Sequence, residues 1–169
     1  RVDRRQRQMC IRDRLKTLKK ILNYFNGTVW QQTELDKDVI KAVKEASSII
    51  DVGCGFNQYK QFNSDNFIGI DIANPNADWV GDILNYKTDQ RFKLAICYGS
   101  LHFYNYEWIK NRFEKILALT LTSGIIMMKV NPGINSNYPL PFFKHWTWPL
   151  AEHFAEVYNL QISDKHEWY

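Results

Sequence analysis

Ser48-Ile49-Ile50-Asp51-Val52-Gly53-Cys54-Gly55 decides how this chain is organised. An apolar run with no polar alternation is what a strand covered on both faces requires. Here it carries one carboxylate and runs straight into two glycines, which allow a tight turn and let a ligand approach the backbone. The pattern recurs downstream. Phe67-Ile68-Gly69-Ile70-Asp71 predicts a second short strand ending on an acid, and Ala77-Asp78-Trp79-Val80-Gly81-Asp82 a third with the same ending. Lys93 to Tyr98 reads as a fourth strand. Gly124 to Val130, almost wholly apolar, reads as a fifth with both faces covered.

Helical periodicity fills the intervals. Leu15, Leu18, Ile21, Leu22 and Phe25 share one face of a segment that Asn26-Gly27 ends. Thr33-Glu34-Leu35-Asp36 has the form of a capping box with Asp36 in place of the usual Glu. It opens a helix whose stripe is Leu35, Val39, Ile40, Val43 and Ala46. Trp108 to Leu121 predicts an amphipathic helix with Ile109, Phe113, Ile116 and Leu117 inward. Pro149 to Tyr158 predicts a last helix, and Leu160-Gln161-Ile162 the start of a last strand. Helices alternating with apolar strands specify an α/β protein, a Rossmann-like open, mostly parallel sheet of about six to seven strands with flanking helices. Residues 72–77 are too short for a crossover helix, so one layer is trimmed to a loop. Residues 15–169 read as one domain.

The chain has 169 residues, of which 45% are hydrophobic and 15% aromatic, a globular composition rather than a disordered one. No run approaches ~18 apolar residues, which excludes a membrane-spanning helix, and no N-terminal apolar stretch suggests a secretory signal. Cys10, Cys54 and Cys97 have no zinc spacing and form no even disulfide set, so no metal is expected and a reduced, cytoplasmic setting is. The net charge of +4 lies entirely in residues 1–14, which hold six of the eight Arg and two Asp, while residues 15–169 sum to zero. Such a basic tail reads as a solvated arm or as a phosphate-contacting one. Arg4-Arg5-Gln6-Arg7-Gln8-Met9-Cys10-Ile11-Arg12-Asp13-Arg14 also resembles translated sequencing-adapter sequence, the preferred reading, and the tail is set aside from the fold. A nucleic-acid partner is then unsupported, and nothing in the sequence sets the oligomeric state.

In an open α/β sheet, ligands bind beyond the carboxyl ends of the strands. Asp51 with Gly53, Asp71 and Asp82 collect at that edge. Asp71, twenty residues after Asp51, stands where a strand-end carboxylate accepts hydrogen bonds from ribose hydroxyls. Asp82 and the Ile83 amide can bracket a purine. Gly53-Cys54-Gly55-Phe56-Asn57-Gln58 lacks the third small residue of a dinucleotide fingerprint, which opposes a nicotinamide-dependent oxidoreductase. An acid before the first glycine suits an ammonium better than a phosphate. Singly, each acid reads equally as a strand-end cap and the glycines as a tight turn; together they favour a nucleoside site.

Asp51-Val52-Gly53-Cys54-Gly55, Asp71 and Gly81-Asp82-Ile83 resemble the motifs of the class I S-adenosylmethionine-dependent methyltransferases, over residues ~35–165. The resemblance implies S-adenosylmethionine as cofactor. It implies Asp51, Gly53 and Gly55 at the methionine end, Asp71 at the ribose, and Asp82 and Ile83 at the adenine. Tyr98 to Ser100 would line the methyl side, and Cys54 and Ile72 count among the cofactor-binding positions. It also implies a sixth and seventh strand at the sheet edge; ending at Glu167-Trp168-Tyr169, the chain has either a minimal last hairpin or a missing final strand.

The methyl acceptor is less legible. The (Asp/Asn)-Pro-Pro-(Tyr/Phe) run of amino-group methyltransferases is absent after the fourth strand, where Tyr98-Gly99-Ser100-Leu101-His102-Phe103 stands. Lys129 and Glu167 fall near two positions of the Lys-Asp-Lys-Glu set of RNA ribose 2′-O-methyltransferases, but Tyr98 to Ser100 occupy the place of its Asp, so nothing there depresses the Lys129 pKa. His102 is the candidate general base, by its near-neutral pKa and its place at the cleft mouth, with a backbone-satisfied loop histidine as the competing reading. Tyr138, Phe142, Phe143, Trp146 and Trp148 form either an aromatic lid or the cover of a small sheet. The segments around Tyr98, Asn131 and Trp146 also resemble small uncharacterised methyltransferases of marine viruses, which supplies no substrate. The expectation is a methyltransferase for a small-molecule acceptor; the rivals are a non-catalytic cofactor-binding subunit, an RNA ribose 2′-O-methyltransferase and a nucleic-acid-binding module.

Overall fold

Strand β1, Ile49–Val52, is buried along its whole length, and its alternate side chains feed two separate cores. Ile49 joins Val39, Val43, Phe67, Leu94 and Ile96 on one face of the sheet. Ile50 and Val52 join Ile70, Ala95, Cys97, Ile109, Phe113, Ile116 and Phe154 on the other. That two-sided demand explains why the strand is apolar without alternation. A computed structural model describes residues 35–101, 106–129 and 148–163.

Strands β2 (Phe67–Asp71), β3 (Trp79–Val80), β4 (Phe92–Tyr98) and β5 (Thr120–Lys129) complete a five-stranded sheet among the described residues, in the order β3-β2-β1-β4-β5. Every pairing is parallel. Helix α1 (Lys37–Glu45) packs on the first face, and α2 (Tyr106–Leu119) and α3 (Trp148–Val157) supply the second. The arrangement is the expected Rossmann-like open α/β sheet. Residues 72–78 connect β2 to β3 without a helix, as their length required. Among the described residues no helix is long and apolar enough to cross a membrane.

Several boundaries differ from the sequence reading. The N-cap of α1 is Asp36, whose carboxylate accepts from the Asp38 and Val39 amides, so Asp36 begins the helix instead of closing a box opened by Thr33. The third strand is two residues long, because Gly81 turns the chain away after Val80. Helix α2 stops at Leu119, and Thr120 already belongs to β5 while its hydroxyl donates to the Ile116 carbonyl at 2.8 Å. Strand β5 is not covered on both faces: Ile125 is 55% exposed and Leu121 40%. It is the outer strand of the described sheet, and its register on β4 jumps between Phe92 and Leu94. Leu160, Gln161 and Ile162 form no strand. The basic tail, the helix expected at 15–25, Glu167 and the aromatic segment from Asn131 through Thr147 lie outside the described residues.

Candidate functional site

The turn after β1 is shaped by two constraints. The Gly53 and Cys54 amides both donate to the Ile70 carbonyl, at 2.7 and 3.1 Å, which folds the chain across the end of β2. Gly53 adopts φ +79°, a region side chains disfavour, and a Cβ there would collide with the Ser100 Cβ. The carboxyl ends of β1 and β4 therefore touch through a glycine and a serine. Ser100 Oγ is buried with no hydrogen-bond partner among the described residues, and buried hydroxyls are nearly always paired.

Asp51 and Asp71 form the acidic floor. Asp51 is 3% exposed, and its carboxyl is pushed up to about 8, by burial first and then by the charge of Asp71. Asp71 is also buried but hydrogen-bonded: Oδ2 accepts from the Gly55 amide at 3.2 Å, and Oδ1 from the Ala73 and Asn74 amides at 2.9 and 3.0 Å. Each carboxylate oxygen has two lone pairs, so acceptor capacity remains for hydroxyls. Burial, with Asp51, Asp71 and Asp78 nearby, raises the Cys54 thiol well above its ordinary range, and burial and Asp51 do the same at Cys97. Neither is a thiolate nucleophile.

Asp82 caps the short 3₁₀ turn Ile83–Asn85 by accepting from the Leu84 amide at 3.1 Å. Its other oxygen is ion-paired to Arg112 of α2. The Ile83 side chain is buried in the core, and as the first residue of the turn its amide is one that no helical carbonyl satisfies. Ile72, directly after Asp71, is 59% exposed and forms an apolar lip at the carboxyl end of β2.

Tyr98 leaves the end of β4 toward α1. Its hydroxyl donates to Asp36 Oδ2 at 3.3 Å, its ring meets Tyr59 edge-on at 6.3 Å, and burial with the Asp36 charge raises its pKa. Lys129 pairs in register with Tyr98, and its ammonium lies 6.0 Å from the Tyr98 ring centroid. The structure thus brings Asp51, Gly53, Cys54, Gly55, Asp71, Ile72, Asp82, Ile83, Tyr98 and Ser100 to one sheet edge, with Lys129 at its β5 end. His102 lies outside the described residues. Among those described, no group of His, Cys, Asp or Glu is placed to hold a metal ion.

Sequence reasoning missed Arg112, Trp108 and the Tyr59–Asp36–Tyr98 cluster. Arg112 carried a readable signal, because it sits on the apolar stripe of α2 between Ile109 and Ile116, where a charge needs a buried partner. The tyrosine cluster carried none, since its members are far apart in sequence.

No family model matches this sequence, and no curated protein does. Solved structures do. Burkholderia thailandensis 1,6-didemethyltoxoflavin-N1-methyltransferase, with bound 1,6-didemethyltoxoflavin and S-adenosylhomocysteine, aligns at TM-score 0.59 and 14% identity, over 82% of this chain and 73% of that one. TehB from Haemophilus influenzae aligns at TM-score 0.57 and 17% identity, over 81% of this chain and 54% of that one. An O-methyltransferase family protein from Burkholderia thailandensis aligns at TM-score 0.56 and 11% identity, over 78% of this chain and 52% of that one. The chain spans about half the length of the last two of these structures. At these identities the shared property is the fold, an open, parallel Rossmann-like α/β sheet that the chain has in common with these structures.

Proposed function

We propose that this chain binds S-adenosylmethionine at the carboxyl edge of β1, β2, β3 and β4 and transfers its methyl group to a small-molecule acceptor. The observation that carries the reading is the joint between β1 and β4. Gly53, which cannot gain a side chain without striking Ser100, lies beside a buried Ser100 hydroxyl with no partner among the described residues, at the strand ends that also carry the buried Asp51 and Asp71. Those residues fit a ligand with an ammonium at one end and a ribose near the middle.

The bound cofactor supplies a methyl group on a positively charged sulfur, whose transfer needs an acceptor lone pair held in line and little acid–base help. Asp51, neutral while buried alone, ionises opposite the ammonium. The Gly53–Gly55 backbone and the Ser100 hydroxyl hold the amino-acid end. Asp71, oriented by the Gly55, Ala73 and Asn74 amides, takes the ribose hydroxyls. Asp82 and the Ile83 amide read the purine. Tyr98, its hydroxyl tied to Asp36, presents its ring as a wall on the methyl side. His102 is the proposed base for the acceptor's proton; Lys129, beside an aromatic ring where the RNA-directed set has an acid, is not given that role. The fold shared with a protein crystallised with 1,6-didemethyltoxoflavin supports a small-molecule acceptor.

Calorimetric titration with S-adenosylmethionine, S-adenosylhomocysteine and NAD, alongside Asp71→Ala, tests this. The reading expects affinities on the order of micromolar for the first two, weakened by the substitution, and no NAD binding. A folded protein that binds neither sulfur ligand ends the proposal. Binding without turnover over an acceptor screen favours the non-catalytic subunit instead.

A further inference from the structure

Arg112 is the one Lys or Arg buried in the described core, and its side chain is 11% exposed. A guanidinium keeps its charge in folded proteins, so it must be compensated where it stands. Asp82 Oδ2 does so in an ion pair with Nη2, Nη1 donates to the Trp108 carbonyl at 3.2 Å, and the guanidinium stacks 3.6 Å above the Trp108 ring centroid. Asp82 Oδ1 is held in turn by the Leu84 amide at 3.1 Å. The carboxylate is therefore gripped from both sides, by the turn that follows β3 and by α2, the helix that follows β4.

Stability alone is a poor account of this arrangement. The pair is largely buried, with the Asp82 side chain 23% exposed; such a pair spends much of its Coulombic gain on desolvation, and apolar replacements of similar volume are often neutral or stabilising. What the pair does provide is a charged acceptor in one orientation, at the sheet edge and one residue before Ile83. Each Asp82 oxygen uses one lone pair on its protein partner and has another to offer.

We propose that Arg112 is a positioning residue of the purine subsite. Through its ion pair with Asp82 and its stacking on Trp108, it fixes the Asp82 carboxylate to accept the exocyclic amine of adenine and to reject a base bearing an oxygen there. The inference rests on the assignment of Asp82 to the purine. A 6-oxo base places an acceptor against a carboxylate that has no proton to give, so selectivity between amine and oxygen reads the orientation directly.

The test is calorimetric binding of S-adenosylhomocysteine and its deaminated analogue S-inosylhomocysteine to the full chain. It is run on the parent, Arg112→Lys, Arg112→Gln, Asp82→Asn and the double variant Asp82→Asn/Arg112→Gln. The parent is expected to prefer the amine by about tenfold or more, the worth of one hydrogen bond to a charged group. Both Arg112 variants are expected to reduce that preference at least about threefold. In the Asp82→Asn background, Arg112→Gln is expected to change the preference no further, because its effect passes through Asp82. The preference is a ratio within one sample, so a lower folded fraction cancels, and Arg112→Lys, which keeps the charge, carries the test if the Gln variant fails to fold. An unchanged preference in an Arg112 variant that still binds S-adenosylhomocysteine overturns the inference and leaves the cofactor reading standing. A folded parent that binds neither ligand overturns both.

Discussion

Asp51→Asn isolates the most perturbed group in the site. In the folded chain the Asp51 carboxyl is pushed up to about 8, while an ordinary Asp titrates at 3.8. Between those values the folded state holds a proton that the unfolded state has released, so stability falls as pH rises through the window. One unit is worth ~1.4 kcal/mol, so the loss between pH 5 and pH 9 reaches about 4 kcal/mol. Asparagine keeps the shape and cannot titrate. Urea unfolding followed by tryptophan fluorescence, on parent and variant at both pH values, gives the difference in free energy at each. The gap should move toward the variant by up to about 4 kcal/mol from the lower pH to the higher, while its cofactor affinity drops about tenfold for want of a carboxylate opposite the ammonium. A stability gap that is the same at both pH values would mean that Asp51 is already ionised in the fold and that its burial does not hold the proton.

Two further outcomes follow from the same geometry. Gly53→Ala puts a methyl group against Ser100 Cβ at φ +79°, and should cost about 1–3 kcal/mol and abolish cofactor binding; a variant with unchanged melting temperature and affinity would contradict the packed joint between β1 and β4. Cys54 and Cys97, both raised well above their ordinary range, should resist iodoacetamide at pH 8 in the folded chain and react in urea, with sites assigned by mass spectrometry. Rapid labelling of either under native conditions would show that its surroundings are more open than the structure places them.

Where elements were legible in the sequence, burial had left a one-dimensional trace. Phe67–Asp71 coincides with β2 because an apolar run packed on both faces is bounded by residues that cannot continue it. The third strand is shorter than its sequence suggests: Trp79 and Val80 look like part of a run, but Gly81 turns the chain after them and the Asp78 carboxylate before them is spent on the Gly69 amide, at 2.8 Å, and on Lys60. Nothing local distinguishes Thr33 from Asp36 as the cap of α1, since both are good cap residues. That Asp51, Gly53, Asp71 and Asp82 share one sheet edge is legible in the sequence because parallel strands deliver their ends to one side. The long-range pairs at that edge are not: Arg112 lies thirty residues from Asp82, and Tyr98 sixty-two from Asp36, the N-cap of α1. Such pairs are set by the crossing of α2 and by the register of β1 on β4, which only the assembled sheet defines.

A crystal structure of the chain with S-adenosylhomocysteine would locate the cofactor. The ribose hydroxyls are expected within hydrogen-bond distance of Asp71, the amino-acid end against Gly53 and Ser100, and the base between Ile72 and the Asp82–Ile83 turn. Ligand density away from the carboxyl ends of β1 and β2, with those residues unengaged, would contradict that placement.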